Sequence, residues 1–321
     1  LLLIGATTPV IAVNTNTAVI SSVITGSQGF VKSGAGMLFL GAASTYTGVT
    51  TVKDGTLVIG ATDALPTGGQ LVLGDNTVTN KGGALVLSGY SQTISNLLLT
   101  TWTNVTPTAL NPITIGSGDT LSIASSGAGN MVTLIEGTHL QASGAGTMNI
   151  TAPNGNIFIW GRRGTVAPYR GMDLSQLSNF TANENSITVG YDNGAPQFSR
   201  VGLLALAATN NVTAADIYIG NSPADGSVRG QMLLGISNVL NVANIHIGYA
   251  KTTGYFDFNT GVSGGSVVLQ GTNGGRGNVY VGEFNQNNSG TQPTGYFTIT
   301  NAGCSISAQL NQLAAGVRSV N

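Results

Sequence analysis

Four tetrapeptides, Ile187-Thr188-Val189-Gly190, Ile217-Tyr218-Ile219-Gly220, Ile245-His246-Ile247-Gly248 and Val279-Tyr280-Val281-Gly282, repeat one pattern: apolar, variable, apolar, glycine. A degenerate fifth copy, Leu313-Ala314-Ala315-Gly316, follows. Successive copies start 30, 28, 34 and 34 residues apart. Self-similarity at such a period constrains the fold severely, because each copy must be one unit stacked on its neighbours in a solenoid. The alternation within each copy selects strands, and the glycine selects a corner after each.

Composition agrees. Charged residues make up 7% of the chain and 47 residues are glycine, so Gly, Thr, Ser and Asn occupy the places that Lys, Glu and Arg usually fill. Those are residues of turns and stacked β-surfaces, and the expected class is all-β. A formal net charge of −1 with only 11 Lys and Arg argues against a nucleic-acid partner, which requires a basic surface. The one cysteine, Cys304, cannot close an internal disulfide and reads as a small buried hydrophobe. Leu1-Leu2-Leu3-Ile4 lacks a basic flank and is followed by Gly5 and Pro9, so neither a signal peptide nor a membrane span is expected. The chain starts and stops in mid-pattern, as a processed product or a piece of a longer protein would.

Short alternating runs continue upstream, among them Met37–Leu40, Thr56–Ile59, Gln70–Leu73 and Ala84–Leu87, each bounded by turn residues. Asp54-Gly55 and Asn154-Gly155 would signal hairpins in another context and read here as corners of a coil. Aligning 203–220 with 232–248 gives a strand, a polar turn with Asn, a short strand, a small-residue corner and a third strand. Three short strands per unit is one rung of a parallel β-helix. Three regions follow: 1–97, an irregular stretch 98–171 with a junction loop, and an array of about 30-residue units over 172–321. At ~22–30 residues per rung the chain makes roughly 11–14 rungs, about 50–65 Å long by strand spacing.

The segment 32–60 carries a more specific pattern. Lys32, Gly34 and Gly36 precede the strand of Leu38 and Leu40; Tyr46, Thr47 and Gly48 form a corner; Thr50, Val52, Gly55 and Leu57 complete the next strands. This resembles the autotransporter-associated β-strand repeat, and 84–97 and the units from 172 onward are similar to sequences found alongside it. The resemblance implies a right-handed parallel β-helix, secretion, and residence at or beyond a bacterial cell surface. It carries no catalytic residues.

The polar residues offer little chemistry against that background. The twelve acids are dispersed, most of them in turns, and no adjacent pair offers the two carboxylates that glycoside cleavage needs. His246 occupies the slot of Thr188, Tyr218 and Tyr280 and is expected to stack outward; His139 stands alone, and no cluster suits a metal or cofactor. The chain therefore reads as non-enzymatic. Trp160, Arg162, Arg163, Tyr169 and Arg170 gather in the least regular stretch, either as a covering loop or as a contact patch for glycan or a neighbouring subunit. Residues 1–25 supply apolar strands with Val10, Ile11, Val13, Val19 and Ile20 and no capping helix, so the coil is expected to self-associate end to end. The favoured function is a structural module of a surface adhesin or extracellular fibre. A carbohydrate-binding or carbohydrate-degrading β-helix, and a passenger segment of a larger autotransporter, are the alternatives.

Overall fold

The computed structural model describes residues 1–3, 5, 7–75, 77, 81–100, 111–135, 138–163, 170–191, 200–222, 228–284 and 292–316. Over these residues the chain winds into a parallel β-helix. Its strands form a 12-stranded sheet, a 16-stranded sheet and one two-stranded pair, Leu2–Leu3 with Thr25–Gly26. Every pairing among the described residues is parallel except the short one between Arg162–Arg163 and Arg200–Val201. The only helical element described is a single 3₁₀ turn, Thr272–Gly274.

The 12-stranded sheet is the first face, with eleven strands stacked in order from Thr17–Ile20 to Thr294–Phe297. Ten intervals of ~4.8 Å give a stack about 48 Å long, just short of the range the sequence suggests. The 16-stranded sheet wraps around the other two faces. Strands such as Thr147–Ile159, Asn179–Tyr191, Thr209–Ser222 and Ser237–Ala250 run across both without a break. Their bend falls at Asn185, Ala215 and Ala243, which the ladders skip. Three short strands per rung is thus modified here into one short strand and one long bent one. A corner of small residues needs no turn, because the backbone can bend and keep its hydrogen bonds to the rungs on either side.

The core is a set of columns. Leu38, Leu57, Leu85 and Ile113 stack on the first face, and Met172, Leu204, Met232 and Phe256 continue inward stacking further along. All eight are fully buried. On the third face Ile187, Ile217, Ile245, Val279 and Leu313 lie in one register, so the degenerate fifth copy takes its place in the column. Burying such a side chain contributes roughly 1.5–3 kcal/mol, and each rung adds several. The glycines that end the five copies all have positive φ, between 64° and 78°. At Gly248 a Cβ would lie 2.3 Å from the Thr294 carbonyl oxygen of the neighbouring rung, so close approach as well as backbone hand demands glycine.

Polar side chains stack too. At the corner after the first face, buried Asn210 donates to Asn238 at 2.8 Å and to the Ala207 carbonyl at 2.7 Å. Asn238 in turn donates to the carbonyls of Gly235 and Ser266, both at 2.9 Å. On the outer surface Gln270 donates to Asn241 at 2.6 Å, and Asn241 to Asn211 at 3.0 Å. Such amide ladders take the place of charges, which would repel when stacked.

Candidate functional site

Rungs 30–59 show why the repeat signature takes the form it does. Phe30, Lys32, Leu38, Leu40, Tyr46, Val52, Leu57 and Ile59 all point inward and are buried. Phe30 and Tyr46 meet edge to face at 5.7 Å, and the Tyr46 hydroxyl bonds Thr50 Oγ1 at 2.5 Å. Burial pushes the Tyr46 phenol far above its ordinary pKa. Lys32 sits where its column neighbours are Val52 and Leu73, yet its ammonium is satisfied at the corner. Nζ donates to the carbonyls of Ser33 (3.2 Å), Gly34 (2.5 Å) and Asp54 (2.9 Å). Burial lowers its pKa, and the charge of Asp54 offsets part of that. At Gly55 (φ +69°) a Cβ would stand 2.6 Å from that ammonium and closer still to the carbonyl oxygens of Gly36 and Gly34. Lysine and the glycines therefore make one interlocked corner, Tyr46 packs at the other end of the same strands, and Asp54-Gly55 is a corner rather than a hairpin.

A second cluster lies on the third face. His246 stacks between Tyr218 (4.6 Å, 8°) and Tyr280 (5.1 Å, 16°), with Tyr249 edge-on at 5.2 Å. The stacking matches the sequence expectation, but the imidazole is 8% exposed and is not a plain surface group. Its Nδ1 lies 2.5 Å from Glu283 Oε2, and Nε2 lies 3.9 Å from Asp216 Oδ1. Burial pulls His246 toward its neutral form, and the pairing with the Asp216 and Glu283 carboxylates outweighs it, so its pKa stands above 6.5. The bond to His246, helped by Asn244 at 2.9 Å, holds the Asp216 carboxyl below its ordinary value despite burial. The acids dispersed in sequence are thus brought together here, with Asp216, His246 and Glu283 on three successive rungs. Alignment of the copies on their glycines would have found them: Asp216, Asn244 and Asn278 share one column, Tyr249 and Glu283 another. Chemically the cluster is an ion-paired clamp, and among the described residues no set of three or more ligands could hold a metal ion.

Glu184 presents the opposite situation. It faces the interior between Ala152 and Ala214, is 3% exposed, and neither carboxyl oxygen finds a hydrogen-bond partner. Burial raises its pKa to about 8, with the backbone of Ala152 offsetting only a little.

The residues singled out in the irregular stretch separate. Trp160 is half-buried and packs edge-on against Phe158 at 5.7 Å and Tyr191 at 5.4 Å, forming an aromatic cluster on the third face. The backbones of Arg162 and Arg163 pair with Val201 and Arg200, and Arg170 pairs with Gly202, so the described residues on either side of 164–169 are laddered. Tyr169 lies outside the described residues. Of the apolar strands near the start, Val10 and Val19 are about 60% exposed, Ile11 and Ile20 pack partly against the core, and Val13 is buried. Strands Val10–Ala12 and Thr17–Ile20 are the last on their sheets. At the opposite end Leu313 belongs to an interior column but is 60% exposed. Cys304 is half-buried, its Sγ accepting from Gly265 N at 3.2 Å. His139 is buried, with Nδ1 accepting from Gly171 N at 3.4 Å.

Stacked short strands, interior apolar columns and corner glycines define this chain as a parallel β-helix solenoid. Residues 30–59 match the passenger-associated-transport-repeat family. That match covers the rungs built around Lys32 and Tyr46 and agrees with the resemblance read from the sequence. No curated protein and no solved structure matches the chain. Among the described residues no helix is long and apolar enough to cross a membrane.

Proposed function

We propose that this chain is a non-catalytic, rod-forming segment of an exported bacterial surface passenger, working in an adhesin or extracellular fibre. The observation that carries the reading is the transport-associated repeat at 30–59 forming regular rungs of a continuous coil. A protein of this build is a spacer and a surface. Its side chains are spent on columns, and its amides and aromatics stack on their own kind. Both terminal rungs present apolar residues of interior columns, Ile11 and Ile20 at one end and Leu313 at the other. An open parallel edge pairs with another rung, either further chain or a second copy, and end-to-end stacking lengthens the rod.

Two measurements test this. Fused ahead of a translocator barrel in a Gram-negative host, the chain should reach the cell surface and become accessible to added protease; retention inside the cell would overturn the export reading. Purified without denaturant, it should appear in electron micrographs as rods longer than the ~48 Å of one coil. Introducing Leu313→Arg should shorten them to single units, and monodisperse short particles from the unaltered chain would sink the stacking mechanism.

A further inference from the structure

The outer surface of the first face carries a cleft that the rod reading does not use. Its floor takes in two neighbouring columns, Asp173, Ala205, Leu233 and Asp257 in one and Leu203 and Gln231 in the other, with buried His139 beside them. The cleft has a volume of about 510 Å³ and reaches from Asp173 to Asp257, three rung spacings or about 14 Å. Among the described residues no Lys or Arg lines it.

Two observations bear on its use. The first is its wall. Corners after the first face are tight in the middle rungs, where strand Val228–Leu234 is followed almost at once by Ser237–Ala250. The last two rungs instead carry long corner loops, 259–265 and 298–304, and these are fastened to each other. Asp257 accepts from Thr298 Oγ1 (2.9 Å), Thr300 Oγ1 (2.8 Å) and Thr300 N (3.2 Å). Asn301 donates to the carbonyls of Asn259 and Val262, both at 2.8 Å. Ordering two loops costs conformational entropy that a bare spacer has no need to spend, and rigid loops at a cleft edge are a usual place for binding. The second observation is Gln231. The outward amides of Asn241, Asn244, Gln270 and Asn278 all bond a neighbour in their columns. Half-buried Gln231, between Leu203 and Tyr255, forms no hydrogen bond among the described residues.

We propose that this cleft binds a segment of an uncharged glycan chain. An amide with a free donor and a free acceptor, set between carboxylates and over an apolar floor, matches a pyranose, which offers paired hydroxyls at its rim and C–H groups on its face. The volume is that of an ordinary ligand site. Two carboxylates with no Lys or Arg beside them among the described lining residues disfavour an anionic polymer. An extended peptide would want a backbone edge, whereas this floor is made of side chains.

The test is calorimetric titration of the purified chain with neutral hexasaccharides (cello-, malto- and N-acetylchito- series) and with an anionic oligogalacturonate. At least one neutral series should bind and the anionic one should not. Gln231→Ala should weaken that binding at least tenfold and Leu233→Arg should abolish it, with melting temperatures near that of the unaltered chain. Should Leu233→Arg fail to fold, Gln231→Ala decides alone. The proposal falls if no neutral series binds, if only the anionic chain does, or if Gln231→Ala binds undiminished. The rod reading is judged separately, by micrograph length and surface exposure, so either can fail without the other.

Discussion

Single residues in this coil are constrained by the rung above and the rung below, and glycine shows it most plainly. Gly248→Ala combines a left-handed backbone (φ +73°) with a clash against Thr294, and it should cost about 2–4 kcal/mol. Gly261 has φ +89° but open space around it, so Gly261→Ala should cost only about 1 kcal/mol. Urea midpoints of the two variants check the pair, and equal losses would remove close approach as the cause. Lys32→Met should destabilise by about 2–4 kcal/mol, because it strips the donor from three part-buried carbonyls while keeping the volume. The strand alternation and the corner glycines can be read from the sequence, since each repeats at the solenoid period; the Asn of the polar turn recurs in two units, as Asn210 and Asn238, and its burial was not legible. The role of Lys32 cannot, because a lysine in an apolar column looks like a surface residue until the corner carbonyls close around it.

At the scale of neighbouring strands, pH is the natural probe. His246 has a raised pKa, so what it contributes is complete below 6.5, its ordinary value, and fades as pH rises through the folded value. Asp216 has a lowered pKa, so its share is complete above 3.8 and fades as pH falls through its folded value. Between those limits the clamp across three strands is fully formed. His246→Phe keeps the stack but leaves Glu283 without its partner, and at pH 6 it should cost about 2–4 kcal/mol, less at pH 9. Glu184 works in one direction only. The folded state keeps its proton up to about 8 while the unfolded state loses it near 4.5, so stability falls across that interval and then levels off. Glu184→Gln should flatten this dependence and raise the melting temperature at pH 8; an unchanged pH profile would refute the buried neutral carboxyl. These clusters escaped a linear reading for a definite reason. Asp216, His246 and Glu283 are far apart along the chain, and only the lengths of the intervening loops bring them into adjacent columns.

For the whole molecule, the coil itself was legible because period, glycine placement and low charge all point to one architecture. The merging of two faces into long bent strands was not. It depends on small residues such as Ala215 and Ala243 allowing a bend without a turn, and a run of small residues reads equally well as a corner loop. The rod also has a mechanical prediction. With interior columns continuous along it, unfolding under force or denaturant should proceed rung by rung from the open ends, giving hydrogen-exchange protection that rises toward the middle strands. Uniform protection would argue for capped ends.

The parallel register has one more consequence, and it concerns time rather than shape. Almost every strand pairs with the one a single turn earlier, as Leu85 does with Ile113 and Ile217 with Ile245. Closing each new loop therefore costs about the same entropy as closing the last, however long the chain has grown. A polypeptide emerging from a pore need wait for only one turn's worth of residues before it can add to the finished edge. In the export proposed above, each turn laid down outside would be a pawl against slipping back, and the coil its own ratchet.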